Sequence, residues 1–376
     1  YYDNGRYSSS VEVTENELEN NIIELSLDIN EGDASTIKEI KILGNKTYST
    51  RLLKSLIKSG PKYWFEVWSD KDIYNSTLLD QDIEAIRDYY LNRGYAKFKI
   101  VSKQVNLSPD KEDIYITLSI NEGNLYKFGK TTIYGLDNFD SEIFKNIINY
   151  NLKPASFFSR SNIEITKTAI EFVLGEKGYA FPSVQLNVDL KDNSDSVDIT
   201  LRVDPKKKSF VRRISIKGNT KTNDEVYRRE LRQFESSIYS INKVERSKVR
   251  LERLKFINQV DVKKTIIDEE NGVMDIDFFL EETQSGEFKV GAGYSDSSGA
   301  IFNVKIQQDN FLGKGNNIGL EIEKSAYKKL LRYRNTNPYF TEDGISKSTS
   351  IVFSETDVSS TSTASYISDT IAYGIN

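Results

Sequence analysis

A repeat of about eighty to ninety residues is the feature that most constrains how this chain can fold. An alternating segment at residues 37–45 returns at residues 130–136 and again at residues 211–219. Alternation predicts a strand with one buried face, and a glycine that ends it suits a turn with a positive φ. The chain is therefore predicted to be a tandem array and not one compact unit. Spacings of 91 and 83 residues separate the three glycines, which are Gly44, Gly135 and Gly218.

The same order of elements follows each of these glycines. Apolar residues at helical spacing predict two helices in the first copy, at residues 49–59 and 77–93. The second helix is predicted to end at Gly94, with Tyr95 turning inward to cover the core. The predicted fold class is α+β, with the order β-α-α-β-β in tandem. Two strands close each copy, at residues 97–107 with 113–121, 183–190 with 196–203, and 260–267 with 273–281.

The glycine-tyrosine ending also assigns the start of the chain. Gly5 followed by Tyr7 resembles that ending, so the first residues are interpreted as the C-terminal part of an earlier copy. The chain starts at Tyr1 without a signal-peptide pattern and ends inside an alternating segment, so a processed chain or a fragment is expected. The predicted domains are residues 1–33, 34–123, 124–206 and 207–284, followed by a different segment at residues 285–376.

From Gly286 onward, the helical periodicity gives way to alternation. The first such segment carries apolar residues at positions 288, 290, 292 and 294. Strands of this kind fit a soluble sandwich, or a transmembrane barrel with lipid outside and water inside. No run of 18 apolar residues occurs in the sequence, which excludes a transmembrane helix.

The composition excludes most familiar enzyme chemistry. With no cysteine and no histidine, the chain has no thiolate or imidazole for a metal site, no cysteine nucleophile and no Ser-His-Asp triad. No glycine-rich phosphate loop is present either. The net charge of −5 excludes a global basic field for nucleic acid. We therefore predict neither an enzyme nor a nucleic-acid-binding protein, and we expect no metal and no cofactor.

Two strings in the C-terminal part carry a family resemblance. The string Gln-Gln-Asp-Asn-Phe-Leu-Gly at residues 307–313 and the string at residues 335–346, which contains Asn-Pro-Tyr-Phe, resemble the first barrel strands of the BamA family of outer-membrane β-barrel assembly factors. The repeats resemble the POTRA domains of that family, and residues 228–233 resemble a segment of its last POTRA domain. The resemblance implies POTRA repeats followed by the first strands of a truncated antiparallel transmembrane β-barrel.

The resemblance also implies a function in the assembly and insertion of outer-membrane β-barrel proteins. The implied location is the bacterial outer membrane, with the POTRA domains in the periplasm. The implied partners are unfolded outer-membrane β-barrel proteins, accessory outer-membrane lipoproteins and outer-membrane lipid. Two alternatives remain open at this point: a secretion pore of the same superfamily, and a soluble periplasmic scaffold whose last sheet is a closed sandwich.

The first strand of the alternating region is the predicted site of client pairing. An edge strand offers N–H and C=O groups that an extended peptide can pair with. The resemblance implies that incoming strands add there, and glycines in the strand fit a weak seam. The alternative is an ordinary strand whose glycines accommodate bulky neighbours. The assigned residues are Glu287, Phe288, Lys289, Val290, Gly291, Ala292, Gly293 and Tyr294.

Two secondary sites are predicted in the repeats. The second strand of each repeat is a candidate for strand addition, and the alternative is a solvated edge that lysines protect. In the first complete repeat its residues are Lys97, Lys99, Val101 and Lys103. By resemblance, an accessory lipoprotein docks on the last repeat, and the alternative is a solvated helix face with an internal ion pair. The residues of that docking site are Arg228, Arg229, Glu230 and Arg232.

Four aromatic residues carry weaker expectations. Tyr339 and Phe340 are expected at a membrane interface or in packing. Trp64 and Trp68 lie between the two helices of the first complete repeat and are expected to be packing anchors.

Overall fold

The computed structural model describes residues 1–376 except residues 19–21, 63–65, 67, 297–298, 342 and 358–365. The chain forms two compact units. One comprises residues 1–171 and 183–204, and the other comprises residues 172–182 and 205–376. The first unit holds an N-terminal hairpin of β1 (Ser10–Leu18) and β2 (Ile22–Asn30), the repeat that we call the first (34–123), and most of the repeat that we call the second (124–206). The second unit holds the third repeat (207–284) and a C-terminal sheet.

Each repeat contains strands and two helices in the predicted order, so the α+β class is confirmed. The strands of the first repeat are β3 (Thr36–Leu43), β4 (Lys99–Leu107) and β5 (Asp113–Asn121). Those of the second are β6 (Lys127–Tyr134), β7 (Ser183–Lys191) and β8 (Ser196–Asp204). Those of the third are β9 (Phe210–Lys217), β10 (Ser237–Ile238), β11 (Ile257–Asp268) and β12 (Val273–Glu282).

The helices of the repeats pack one apolar face onto the sheet. In the first repeat the core side chains include Leu79, Ile86 and Tyr90, and the Tyr90 ring stacks on Phe98 at 4.4 Å between centroids. The helix that carries them ends before Gly94, whose φ of +99° requires a residue without a Cβ. The helices are α1 (Thr50–Ser55), α2 (Ser76–Leu91), α3 (Ser141–Asn151), α4 (Arg160–Glu176), α5 (Asp224–Arg228) and α6 (Ile241–Glu252).

The glycine that defines the repeat is required by a close approach of two main chains. Gly44, Gly135 and Gly218 have φ values of +90°, +90° and +91°. A Cβ at these positions would lie 2.1, 1.9 and 2.1 Å from the carbonyl oxygens of the central strand. No other residue type fits there without moving the backbone, which explains why the sequence signal recurs. The carbonyls belong to Ile120, Val203 and Leu280.

Each repeat sheet has one edge that is partly paired and one that is open. The strand orders are β3-β5-β4, β6-β8-β7 and β10-β9-β12-β11. Beside the first strand, the segment between the two helices forms a bridge from Ile73 to Thr36, from Phe157 to Lys127, and through β10 in the third repeat. Within the described residues, the open edges are therefore β4, β7 and β11.

The C-terminal region is an antiparallel sheet whose strands pair in sequence order. In the described residues it has six strands, with β13 and β18 at its two edges. Several are longer than the alternation predicts, such as β16 against residues 330–334, because polar residues continue the ladder at both ends. The strands are β13 (Gly286–Ser295), β14 (Gly299–Phe311), β15 (Asn316–Lys324), β16 (Lys328–Asn337), β17 (Lys347–Asp357) and β18 (Ile367–Ile375).

One of the two tryptophans differs from the expectation. Trp64 lies outside the described residues. Trp68 is 98% exposed, so the prediction that it anchors the packing of the helices is wrong. The helices of the described residues are too short or too polar to span a membrane.

Candidate functional site

The predicted client-pairing strand lies at an edge of the C-terminal sheet. All residues from Glu287 to Tyr294 belong to β13, which pairs with β14 in an unbroken antiparallel register. In the described part of the chain, the other side of β13 has no neighbouring strand. Its apolar side chains are open to the surroundings, with Phe288 68%, Val290 66% and Tyr294 79% exposed. The strand therefore presents an apolar face.

The two faces of the sheet differ in polarity across all six described strands. On the face away from Phe288 and Val290, Lys305 lies beside Glu321, whose carboxylate forms a 2.9 Å ion pair with Arg332. On the face that carries Phe288 and Val290, cross-strand neighbours form two apolar rows. One row is Phe288, Ile306, Leu320, Tyr333, Ile351 and Tyr373, and the next is Val290, Val304, Ile322, Leu331, Phe353 and Ile371.

The two central glycines of β13 have different surroundings. A Cβ at Gly291 would lie 2.1 Å from the side-chain oxygen of Asn303, so this glycine makes room for a neighbour. Nothing lies within 4 Å of a Cβ at Gly293. Space therefore accounts for Gly291 but not for Gly293, which leaves a gap in the cross-strand packing of the edge strand.

The third repeat contacts the end of β14 and the turn between β14 and β15. The side-chain amide of Asn310 donates to the Thr222 hydroxyl at 2.6 Å, and the Asn223 N–H donates to the Gly313 carbonyl at 2.9 Å. Gly313 has a φ of +71°, and a Cβ there would lie 2.2 Å from the Lys221 carbonyl oxygen. The string at residues 307–313 is therefore shaped to receive the loop at residues 220–223.

A partly buried carboxylate holds that loop in place. Glu282 accepts hydrogen bonds from the N–H groups of Thr220, Lys221 and Thr222 at 2.9 to 3.1 Å, and from the Tyr227 hydroxyl at 2.7 Å. Burial alone would raise the pKa of Glu282, but these donors lower it to about 2. The carboxylate is therefore ionised and holds the loop rigidly where it meets the C-terminal sheet.

The turn between β16 and β17 forms a second contact with the third repeat. The Arg229 guanidinium lies over the Tyr339 ring, 4.3 Å from its centroid. The Arg250 guanidinium donates to the Tyr339 hydroxyl at 2.8 Å and to the Glu230 carboxylate at 2.6 Å. Burial lowers the pKa of Arg229, although neighbouring carboxylates oppose this shift. Both turns at this end of the sheet are thus joined to one repeat.

Comparison with known families distinguishes the three repeats from the C-terminal sheet, as the structure does. The model of the POTRA family, described as a surface antigen variable number repeat, matches residues 35–123, 126–206 and 209–283. This chain belongs to the POTRA family. The model of the Omp85 superfamily domain matches residues 310–376, which lie in the C-terminal sheet and follow the three POTRA domains.

Curated relatives cover most of the chain. The outer membrane protein assembly factor BamA of Buchnera aphidicola is 31% identical over 341 residues, which are 90% of this chain and 55% of that protein. The factor of the same name from Neisseria meningitidis is 30% identical over 349 residues, 91% of this chain and 43% of that protein. The chain thus spans about half the length of these relatives. Proteins of this family lie in the outer membrane with their POTRA domains in the periplasm, and this chain has the same location.

Solved structures agree with this assignment. The crystal structure of Haemophilus influenzae BamA POTRA3-5 matches with a TM-score of 0.59 and 31% identity, over 66% of this chain and 96% of that chain. BamA from Haemophilus ducreyi lacking POTRA domains 1-3 matches with a TM-score of 0.57 and 29% identity, over 66% of this chain and 47% of that chain.

The residues predicted for lipoprotein docking do not form one exposed helix face. Helix α5 ends at Arg228, which remains at the surface and pairs with Asp224. Glu230 is only 5% exposed and its carboxylate is bound to Arg250, so it is not presented to a partner. Arg229 lies against Tyr339, and Arg232 donates to the carbonyls of Arg229 and Leu231. Lipoprotein docking itself stays a prediction, and the alternative of a solvated helix face holds for Arg228 but not for Glu230, because the chain turns after α5 and buries Glu230.

The predicted edge strand of the first POTRA domain also needs a correction. Lys97 precedes β4, which begins at Lys99, because residues 95–98 turn before the strand. Lys99 and Val101 are exposed, with Val101 at 61%. Lys103 lies on the core side opposite Leu118 and pairs with Asp80 of α2 at 2.6 Å. The lysines thus differ in position, and Lys103 crosses the gap between strand and helix.

Sequence reasoning places Tyr339 at a membrane interface or in packing, but it does not identify the residues that join the last POTRA domain to the sheet. Tyr339 and Asn310 lie within the strings that carry the family resemblance, which was the available signal. Arg250 gave no signal, because it is one of several basic residues on α6. In the described residues, no group of three or more Asp or Glu residues is arranged to hold a metal ion.

Proposed function

We propose that this chain is part of an outer-membrane β-barrel assembly and insertion factor in which β13 templates incoming client strands. The observation that supports it most directly is that β13 pairs with β14 in an unbroken register while its apolar side chains Phe288, Val290 and Tyr294 remain exposed. The relatives' name, outer membrane protein assembly factor, points to the same activity. The clients are then unfolded outer-membrane β-barrel proteins.

The mechanism is an exchange of backbone hydrogen bonds. An unpaired N–H or C=O group in hydrocarbon is unfavourable by several kcal/mol, so a strand enters lipid only when its polar groups are paired. The open side of β13 supplies those pairs whatever the client's side chains are. Neither a nucleotide nor a catalytic residue is needed, because pairing itself drives the insertion.

The apolar rows of the sheet set the register of the incoming strand. A client strand that places apolar residues beside Phe288 and Val290 extends both rows, and its alternate residues then join the polar face. A slip of one residue would turn its polar residues toward lipid. Side-chain pattern thus selects the register, while the main chain provides the affinity.

The remaining partners follow from the same arrangement. The two apolar rows are assigned to contact outer-membrane lipid. Accessory lipoproteins are assigned to the exposed surface around Arg228 and not to Glu230, whose carboxylate is buried.

Single cysteines in the full-length protein test the templating mechanism, because the described sequence has no cysteine of its own. Cysteines at Phe288 and Val290 are expected to cross-link to the terminal strand of an arriving client. The matched controls are Tyr333 and Leu331, which lie in the same rows on β16, inside the sheet. Equal cross-linking at all four positions would contradict templating, and cross-linking mainly at Lys305 on the opposite face would indicate a secretion pore.

A further inference from the structure

The face of the C-terminal sheet that carries Phe288 and Val290 becomes charged at the end far from the last POTRA domain. The turns that contact that domain, at residues 312–315 and 338–346, lie at the other end of the strands. Two residues beyond the row of Val290, cross-strand pairing on four neighbouring strands forms a second kind of row. We call it the charged row, and its members are Lys324, Lys329, Glu355 and Asp369.

Like charges stand opposite one another in the charged row. Lys324 pairs across the strands with Lys329, and Glu355 pairs with Asp369. Such neighbours have Cβ atoms about 5 Å apart, and their repulsion destabilises a sheet. Glu355 relieves Lys329 through a 2.9 Å ion pair, but in the described part of the chain Lys324 has no ion-pair partner. An anion from outside the chain, placed between the two ammonium groups, would remove the repulsion.

A pair of facing lysines on the polar face shows how the chain balances such charges by itself. Lys289 faces Lys305 there. Glu287 forms a 2.5 Å ion pair with Lys289, and Glu321 lies directly opposite Lys305 on β15. Among the described residues, the charged row has no such acid on the side of Lys324. The missing counter-charge, and not the presence of two lysines, therefore distinguishes the charged row.

A groove of about 610 Å³ lies along the charged row. The charged row lines one side of it, and apolar side chains line the other. The groove is therefore suited to a ligand that has an anionic head and an apolar tail. The apolar side chains are Ile322, Leu331, Phe353 and Ile371, and all of them are exposed.

We propose that Lys324 and Lys329 bind the phosphate of a membrane lipid whose acyl chain lies along the apolar side of this groove. An ammonium group binds phosphate as a compact charge, and the lysine stem can lie on apolar surface while the charge reaches the headgroup. Glu355 and Asp369 repel the phosphate and so confine it to the hairpin of β15 and β16. The inference rests on the proposed function, because it takes the apolar rows to lie in lipid. The lipid then belongs to the leaflet far from the POTRA domains.

The test uses the full-length protein in a nonionic detergent, with bound lipid counted by native mass spectrometry. The probe is dioleoylphosphatidic acid. Dioleoylglycerol has the same acyl chains without the phosphate, and inorganic phosphate has the anion without the chains. We expect dioleoylglycerol to bind at least about tenfold more weakly than the probe. An equal concentration of inorganic phosphate is expected to leave the probe bound.

Glutamine substitutions locate the site. Lys324→Gln with Lys329→Gln is expected to weaken binding of the probe about tenfold or more, because both charge-assisted contacts are lost. The matched control is Lys328→Gln, which removes the same charge from the same hairpin. The Lys328 side chain lies on the polar face and pairs with Glu323 at 3.4 Å, so binding should be unchanged. Thermal unfolding identifies a double variant that fails to fold, and Lys324→Gln alone then replaces it.

Four results would overturn the assignment. They are equal binding of dioleoylglycerol, unchanged binding in the double variant, an equal loss in Lys328→Gln, and displacement of the probe by an equal concentration of inorganic phosphate. The last would indicate a bare anion site instead of a lipid site. Client cross-linking at Phe288 is measured separately in the unsubstituted protein, so templating can hold when this inference fails.

Discussion

The Tyr339 hydroxyl accepts a 2.8 Å hydrogen bond from Arg250, which joins the turn between β16 and β17 to helix α6 of the last POTRA domain. Its ring also lies under the Arg229 guanidinium. The end of β14 and the turn after it are joined to the same domain through Asn310 and Gly313. The domain is thus held by the turns that follow β14 and β16, and neither contact uses the main chain of the edge strand β13.

Replacing Tyr339 is expected to loosen this junction. Tyr339→Ala removes the cation–π contact and the hydrogen bond, a loss of about 1 to 2 kcal/mol at a partly buried site. Tyr339→Phe keeps the ring and removes the hydrogen bond alone, so its effect should be about half as large. Hydrogen exchange of residues 220–223 and 309–315 measures the loosening. Equal protection in all three proteins would show that the contact does not hold the domain.

Glu230 is expected to act through stability and not through a partner. Its carboxylate is buried against Arg250, so Glu230→Lys places two positive charges together and is expected to destabilise the last POTRA domain by about 3 kcal/mol or more. Thermal unfolding provides the measurement. Glu225→Lys, on the surface helix α5, is the control and should change stability little. Normal stability combined with weakened lipoprotein binding would instead restore the docking role.

The repeat shows where sequence reasoning succeeds, and Glu230 shows where it stops. The repeat, the positions of its strands and the required glycine could be predicted, because period-two and helical patterns and a positive φ are local properties of the chain. The burial of Glu230 could not, because it depends on a turn after a five-residue helix and on Arg250, twenty residues later. The position of Lys103 also depends on a helix residue, Asp80, that is distant in sequence.

The last POTRA domain is expected to lose stability in acid through Glu282. Its pKa is about 2 in the folded chain against 4.5 ordinarily, so its stabilising effect is complete above pH 4.5 and disappears as the pH falls toward 2. Glu282→Gln should lower stability at pH 7 by about 2 kcal/mol and flatten the pH dependence in that window. Chemical denaturation from pH 2 to 7 measures both. The second domain, which has Pro205 at the equivalent position, lacks this carboxylate. An unchanged acid slope in the variant would contradict the assignment.

The repeat glycine is expected to be irreplaceable. Gly44→Ala places a Cβ 2.1 Å from the Ile120 carbonyl oxygen at a φ of +90°, so a loss of at least about 2 kcal/mol is expected. Gly60→Ala in the same domain is the matched control, because no atom lies within 4 Å of the added Cβ and its φ is not positive. Denaturant unfolding of both variants decides the point. Similar midpoints would show that the close approach can relax.

The edge strand itself offers the most direct contrast, between Gly291 and Gly293. Gly293→Val adds a β-branched side chain where nothing lies within 4 Å, so it should strengthen the packing of β13 and raise the stability of the sheet. If an edge strand with little side-chain packing is needed for exchange, the same variant should insert clients more slowly. Gly291→Ala is the control, because its Cβ meets the Asn303 side-chain oxygen at 2.1 Å, a contact that rotation of the flexible amide relieves, and it should change the stability of the sheet little. Client insertion into liposomes, followed beside thermal unfolding, separates the two effects. A Gly293→Val protein that is more stable and equally fast would show that the gap at Gly293 does not contribute to templating.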